Sequence, residues 1–167
     1  ANLTSAGMVT GAVWSDVDGD GWMDLLVTLE WGPVKLYRND NGNLADATEQ
    51  AGLADSSGWW NGIAAGDIDG DGDVDFAVSN YGLNTKYKAS KAKPAMLYYG
   101  DFDGTGTPHI VEAKFEGNKA LPRRGFSCSS GAIPSLKDKV KTFHNFAMAS
   151  LEALYPLESG SKWEANT

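Results

Sequence analysis

The chain is poor in cysteine, histidine and basic charge, and it has no long apolar run. Each scarcity excludes something. Cys128 stands alone, so no internal disulfide is available, and cysteine usage neither establishes nor excludes an oxidising compartment. No stretch of about 18 consecutive apolar residues occurs, which excludes a transmembrane helix. Lys and Arg number 14 against 22 Asp and Glu, giving a net charge of −8, and this balance argues against a nucleic-acid partner, because phosphate recognition needs clustered basic side chains. No signal peptide is recognisable. The opening Ala1-Asn2-Leu3-Thr4 lacks an initiator Met, so the expectation is a processed or excised piece whose targeting segment lies outside this sequence. What is plentiful is apolar and aromatic mass: 42% hydrophobic residues and six Trp in 167 residues, enough for a substantial core in a chain of single-domain size.

Acidic charge is concentrated rather than spread. In DVDGDGWMDLLV, residues 16 to 27, carboxylates crowd one short loop that runs into an apolar segment. Like charges this close disfavour a compact fold unless a cation neutralises them. Oxygen ligands at alternating positions of a tight loop suit Ca²⁺, which takes 6–8 oxygens at about 2.3–2.6 Å in flexible geometry. Asp16, Asp18, Asp20 and Asp24 supply side-chain oxygens at the first, third, fifth and ninth positions, and Trp22 supplies its backbone carbonyl at the seventh. Gly19 and Gly21 let the chain wrap the ion through positive φ. Two divalent ions would bring the net charge from −8 to −4, so much of the acidity reads as local ligand charge.

The stretch recurs. GAVWSDVDGDGWMDLLV begins at Gly11, GIAAGDIDGDGDVDFAV at Gly62 and MLYYGDFDGTGTPHIVE at Met96, and the three align without a gap. Each has a short apolar run, the acidic loop, and a second run of β-branched or aromatic residues, which reads as strand, metal loop, strand. An EF-hand is excluded, because it needs a carboxylate at the twelfth position and flanking helices, whereas Val27 and Val78 stand there and the flanks are strand-like. The second copy repeats the first with Asp67, Asp69, Asp71 and Asp75 as side-chain ligands and Asp73 giving its carbonyl. The third keeps Asp101 and Asp103 but has Thr105 at the fifth position, Thr107 at the seventh and His109 at the ninth. Imidazole is a poor Ca²⁺ ligand, so this loop is expected to bind weakly or to hold its shape through hydrogen bonds from Thr105. The alternative for all three is an Asp/Gly turn without an ion. Acids at the first, third, fifth and ninth positions in two complete copies favour calcium, because a turn does not require that spacing.

These residues resemble the FG-GAP/VCBS repeat family, whose blades build calcium-binding β-propellers such as the integrin α-subunit head. DVDGDGWMDLLV and DIDGDGDVDFAV carry the resemblance, and LYRNDNGNLADATEQAGL, residues 36 to 53, is similar to the outer strands and inter-blade link of bacterial members. Residues 121 to 155 more loosely resemble a segment of multi-repeat bacterial secreted proteins, often those with an ASPIC/UnbV module. The resemblance implies four-stranded blades, calcium between two strands of a blade, and adhesion or ligand display rather than catalysis. Propellers have roughly 4–8 blades, so three units imply part of a larger propeller, an oligomer or an open stack. The first two loops begin 51 residues apart and the next two 34 apart, a shortfall of 17 that predicts a lost outer hairpin in the second unit. In its place lies a segment with Lys86, Lys88, Lys91 and Lys93, read as a solvated loop, with an anionic partner such as an acidic glycan as the alternative.

After about residue 117 the period changes. Leu136, Val140, Phe143, Ala147, Leu151 and Leu154 recur at steps of three or four, which predicts one amphipathic helix over about 135–155, with Ser135 and Asp138 as a capping pair. Cys128 with His109 and His144 raises a cysteine-nucleophile alternative, but no local signature supports it. Arg123 and Arg124 invite an anion, with salt bridging as the plainer expectation. Trp14, Trp22, Trp31, Trp59 and Trp60 are expected mostly to fill blade interfaces rather than to stack on sugars.

The expected architecture is mainly β: three propeller-type units over 1–117, then a helix-containing insertion or extension over 118–167. The expected function is a non-enzymatic, extracellular, periplasmic or cell-surface calcium-binding module that recognises protein or carbohydrate. The alternative is a propeller-type lyase or hydrolase with the repeats as a calcium-stabilised scaffold.

Overall fold

A computed structural model describes residues 3–82 and 85–155, and the backbone of 162–166. The fold is mainly β, built from antiparallel sheets with four short helices, and it is propeller-like in its blades. The chain divides into two compact units, Ala1–Lys86 and Tyr87–Thr167.

In the first unit, β1 (Met8–Ser15), β2 (Asp24–Gly32), β3 (Lys35–Asp40) and β4 (Asn43–Asp46) pair successively as an antiparallel meander, the form of one propeller blade. The acidic loop joins β1 to β2. Asn41 and Gly42 join β3 to β4 in a two-residue turn with φ of 51° and 91°. Positive φ at both positions matches the twist of the flanking strands, and Asn-Gly reaches it at low cost. The second copy supplies β5 (Gly58–Gly66) and β6 (Asp75–Asn80), paired around its own acidic loop. Both hairpins carry a register shift at the same place, Thr10 in β1 and Asn61 in β5. The units are therefore equivalent in backbone as well as in sequence. Among the described residues, β6 pairs with β5 only, and no counterpart of β3 and β4 follows it. The 17-residue shortfall is this missing outer hairpin.

Strand β2 is the centre of the unit and is buried on both faces. Leu25, Val27 and Leu29 face Ala6 and Tyr37, while Leu26 faces Leu36 and Ala47, with Ile63 and Phe76 of the second hairpin packed against that cluster. Two-sided burial explains the run DLLVTLEW, which lacks the polar alternation of a half-exposed strand. At Gly11 the hairpins approach so closely that a β-carbon would stand 3.0 Å from Gly62 Cα. Trp31 is buried and packs against Trp59 in a tilted ring pair, and Trp59 contacts Tyr81 in turn. Trp14 and Trp22, expected mostly to fill interfaces, are 52% and 45% exposed. Trp14 lies near the end of β1 beside the first acidic loop, and Trp22 lies within that loop.

In the second unit, β7 (Ala95–Gly100), β8 (His109–Glu116) and β9 (Lys119–Pro122) form the third repeat, and β10 (Lys162–Asn166) pairs with the other edge of β7. The region after 117 thus contains two strands besides its helices. The helical period is not one helix. It is divided among α1 (Phe126–Ala132), α2 (Leu136–Lys139), α3 (Phe143–Met148) and α4 (Leu151–Leu154). Val140, Thr142 and Ser150 have extended backbone, and the hydroxyls of Thr142 and Ser150 accept from the Asn145 and Ala153 N–H groups. Ser and Thr side chains that satisfy the free N–H groups of a new helix start one where a continuous helix would have run on. Ser135 does not act as the expected cap; its backbone is helical and its hydroxyl makes no cap bond. Burial follows the broken path. Leu136, Phe146, Leu151 and Leu154 pack with Tyr98, Val111 and Ala113 of the sheet, whereas Phe143 is 67% exposed.

Candidate metal centre

Each acidic loop is a backbone wrap around its first aspartate. In the first, Asp16 accepts Gly19 N–H at 2.9 Å and Asp20 N–H at 3.1 Å on Oδ1, and Gly21 N–H at 2.9 Å on Oδ2. Gly19 and Gly21 have φ of 73° and 88°, a left-handed conformation that aims successive N–H groups inward. The second loop repeats this, with Asp67 accepting from Gly70 at 2.7 Å and from Gly72 at 3.1 Å. The ninth-position carboxylate closes each loop: Val17 N–H donates to Asp24 Oδ2 and Ile68 N–H to Asp75 Oδ2, both at 2.9 Å.

The resulting donor sets fit a hard divalent cation. One oxygen each from Asp16, Asp18 and Asp24 lies within 4.8 Å of the others, and the same holds for Asp67, Asp69 and Asp71. Two oxygens bound to one Ca²⁺ at about 2.3–2.6 Å stand at most about 5 Å apart, so each trio fits around a single ion. Asp20 and Asp75 stand outside these trios. Asp20 caps its own turn by accepting Trp22 N–H at 2.8 Å, as Asp71 does for Asp73 at 2.9 Å. Trp22 and Asp73, expected to ligate through their carbonyls, occupy the seventh position of these turns.

The two loops differ in burial. Asp24 is fully buried and also accepts Asn39 N–H from β3 at 2.8 Å, while Asp67, Asp69 and Asp71 are exposed. A further residue joins the first loop that sequence reading did not select: the guanidinium of Arg38, on β3, pairs with Asp18 Oδ2. Val17, Asp18, Asp24, Leu36 and Arg38 line a cleft of about 210 Å³. Arg38 lies twenty residues from Asp18, and only the pairing of β3 with β2 brings them together.

The third loop keeps the wrap without the trio. Asp101 accepts from Gly106 N–H at 2.7 Å and from Thr105 N–H at 3.1 Å. The Gly106 N–H bond is the first cause holding its carboxyl below the ordinary carboxylate range. The Thr105 hydroxyl donates to Asp103 Oδ1 at 2.7 Å, and His109 Nε2 lies 3.8 Å from Asp103 Oδ2. Phe102, which follows Asp101, is buried against Tyr155 at 5.6 Å between ring centroids. Hydrogen bonds and packing close this loop where carboxylates close the others.

Elsewhere, Arg123 stacks over the Tyr87 ring at 4.9 Å, Arg124 lies 3.5 Å from Glu112, and the Tyr87 hydroxyl donates to Glu112 at 2.7 Å. Both arginines thus have partners within the fold. Cys128 is exposed on α1, and His144 stands on α3. Ser90 and Lys93 pair through their backbones within the lysine-bearing segment.

Blades of this form with an acidic loop between their first two strands define a propeller-type repeat. Residues 16–78 match the family model described as FG-GAP-like repeat, which spans both complete loops and the outer hairpin between them. Nothing matches among curated proteins or among solved structures. No described helix is long and apolar enough to cross a membrane.

Proposed function

We propose that this chain is a non-enzymatic calcium-binding β-propeller repeat module. One ion sits in the loop of Asp16, Asp18, Asp20, Trp22 and Asp24, and a second in that of Asp67, Asp69, Asp71, Asp73 and Asp75. The observation that carries the proposal is the convergence of three carboxylates to within 4.8 Å in both loops, on the same backbone wrap. Unneutralised, such trios repel; an ion replaces that repulsion with ligation and ties the two strands of each hairpin together. Asp101, Asp103 and Thr105 form a third loop that holds its shape through hydrogen bonds and takes metal weakly. Multi-carboxylate loops fill readily at millimolar extracellular calcium, which favours a secreted, periplasmic or cell-surface setting with a protein or carbohydrate ligand. The blades would complete their ring as part of a larger propeller or through oligomer formation.

Calorimetric titration of Ca²⁺ into metal-stripped protein tests the proposal. Two binding events per chain, lost one at a time in Asp18→Asn and Asp69→Asn, are expected. A folded chain that takes up no calcium would falsify it.

A further inference from the structure

The two complete loops share their sequence pattern and internal hydrogen bonds, and they differ in what lies against them. Consecutive residues of β3 grip the first loop. Arg38 pairs with Asp18, Asn39 N–H donates to Asp24 Oδ1 at 2.8 Å, and the Asn39 side-chain amide donates to the Met23 carbonyl at 2.9 Å. Among the described residues of the first unit, no counterpart of β3 follows the second loop. Fifty-one residues after Arg38 and Asn39 stand Ala89 and Ser90, in the segment where the outer hairpin is missing. Among the described residues, no basic side chain pairs with Asp67, Asp69, Asp71, Asp73 or Asp75, and Asp75 accepts from Ile68 N–H alone.

We infer that Arg38 is an internal counter-cation of the first loop that an incoming metal ion must displace from Asp18, so the two loops are unequal sites. This rests on the calcium reading above. A guanidinium is charged at all relevant pH values and fits a carboxylate edge. Asp18 Oδ2 is on Arg38 while Oδ1 accepts Asp20 N–H at 3.3 Å, so both oxygens are engaged before any ion arrives. The ion meets a loop that is already partly neutralised and must work against the repulsion of a nearby positive charge. The second loop has five acids, and among the described residues of the first unit no cation pairs with them. It fills before the first.

Terbium, a luminescent stand-in for calcium, reads the first loop selectively, because Trp22 lies within that loop and the second loop contains no aromatic residue. The titration uses the full chain carrying Asp69→Asn and Asp71→Asn, with Arg38, Arg38→Gln or Arg38→Lys, and calcium displacement gives the affinity. The Arg38 side chain is 54% exposed, so its replacement leaves the core intact, which far-UV circular dichroism verifies. Arg38→Gln is expected to tighten calcium binding at the first loop about three- to thirtyfold, with Arg38→Lys close to the parent, the effect shrinking at high salt. Unchanged affinity in Arg38→Gln overturns the inference. Weaker binding overturns it too and makes Arg38 a residue that positions Asp18 for the ion. Failure of every protein, including the unmutated chain, to take up metal overturns the calcium reading and this inference with it. That result differs from the other two, in which metal still binds.

Discussion

Asn39 donates its backbone N–H to the fully buried Asp24 carboxylate at 2.8 Å, and this bond locks the third strand of the first blade onto its acidic loop. Asp24 serves two masters: it closes the loop through Val17 N–H and holds β3 in register through Asn39. Asp75 has the first of these duties without the second.

The contrast predicts different losses on truncation. Asp24→Ala strands two N–H donors at a buried site and should cost about 2–4 kcal/mol even in a chelator. Asp75→Ala frees one N–H in an exposed loop and should cost under about 1 kcal/mol in chelator, with a larger loss only when calcium is present. Denaturant unfolding of both variants with and without calcium checks this, and equal losses for Asp75→Ala in both buffers would contradict it.

Gly11 lies at the closest approach of the two hairpins. A methyl group there would stand 2.9 Å from Thr28 Oγ1 and 3.0 Å from Gly62 Cα, and the second of these is backbone that cannot rotate away. Gly11→Ala should destabilise the first unit by about 1–3 kcal/mol, as overpacking does, while Gly66→Ala, with open space around it, should be far milder. Paired melting curves of the two variants decide between them.

The short helices depend on their caps and their buried leucines. Thr142→Ala and Ser150→Ala should each cost about 0.5–2 kcal/mol through loss of the N-cap bond. Leu136→Ala, at a site with no solvent exposure, should cost about 2–5 kcal/mol through the cavity it leaves. Were Leu136→Ala no worse than the cap variants, the packing of the helices on β7 and β8 would be wrong.

Alkaline pH should weaken the second unit. Tyr87 and Tyr98 are pushed up to about 12, first by burial and, for Tyr87, next by its hydrogen bond to Glu112. Both groups ionise near 10 once unfolded. Their folded-state pKa values are raised, so their contribution is complete below about pH 10 and is lost as pH rises from about 10 to 12. Tyr87→Phe should flatten part of that decline in unfolding measured from pH 8 to 12. A decline as steep as that of the parent would remove Tyr87 from the explanation.

Much of the first unit was legible in the sequence because its signals are local. The acidic spacing operates within a few residues of itself, and it recurs unchanged 51 residues on. The lost outer hairpin was legible as a length difference. The helical region misled because periodicity reports which residues are apolar and not whether the backbone between them continues. Thr142 and Ser150 make the breaks, but a helix interior accommodates both residue types, so their type alone did not mark one. Gly117-Asn118 before β9 is a hairpin signal of the same kind as Asn41-Gly42, and the change of period after residue 117 hid it. Arg38 at the first loop and β10 beside β7 depend on pairing between distant segments, for which the sequence carries no local mark.

The account turns on whether the two trios of carboxylates hold calcium. The most direct measurement is anomalous diffraction from crystals of the full chain grown with Ca²⁺. The account predicts two peaks, one among Asp16, Asp18 and Asp24 and one among Asp67, Asp69 and Asp71, each about 2.3–2.6 Å from its carboxylate oxygens. Ordered loops with no anomalous peak in either would contradict it and leave the acidic stretches as hydrogen-bonded turns.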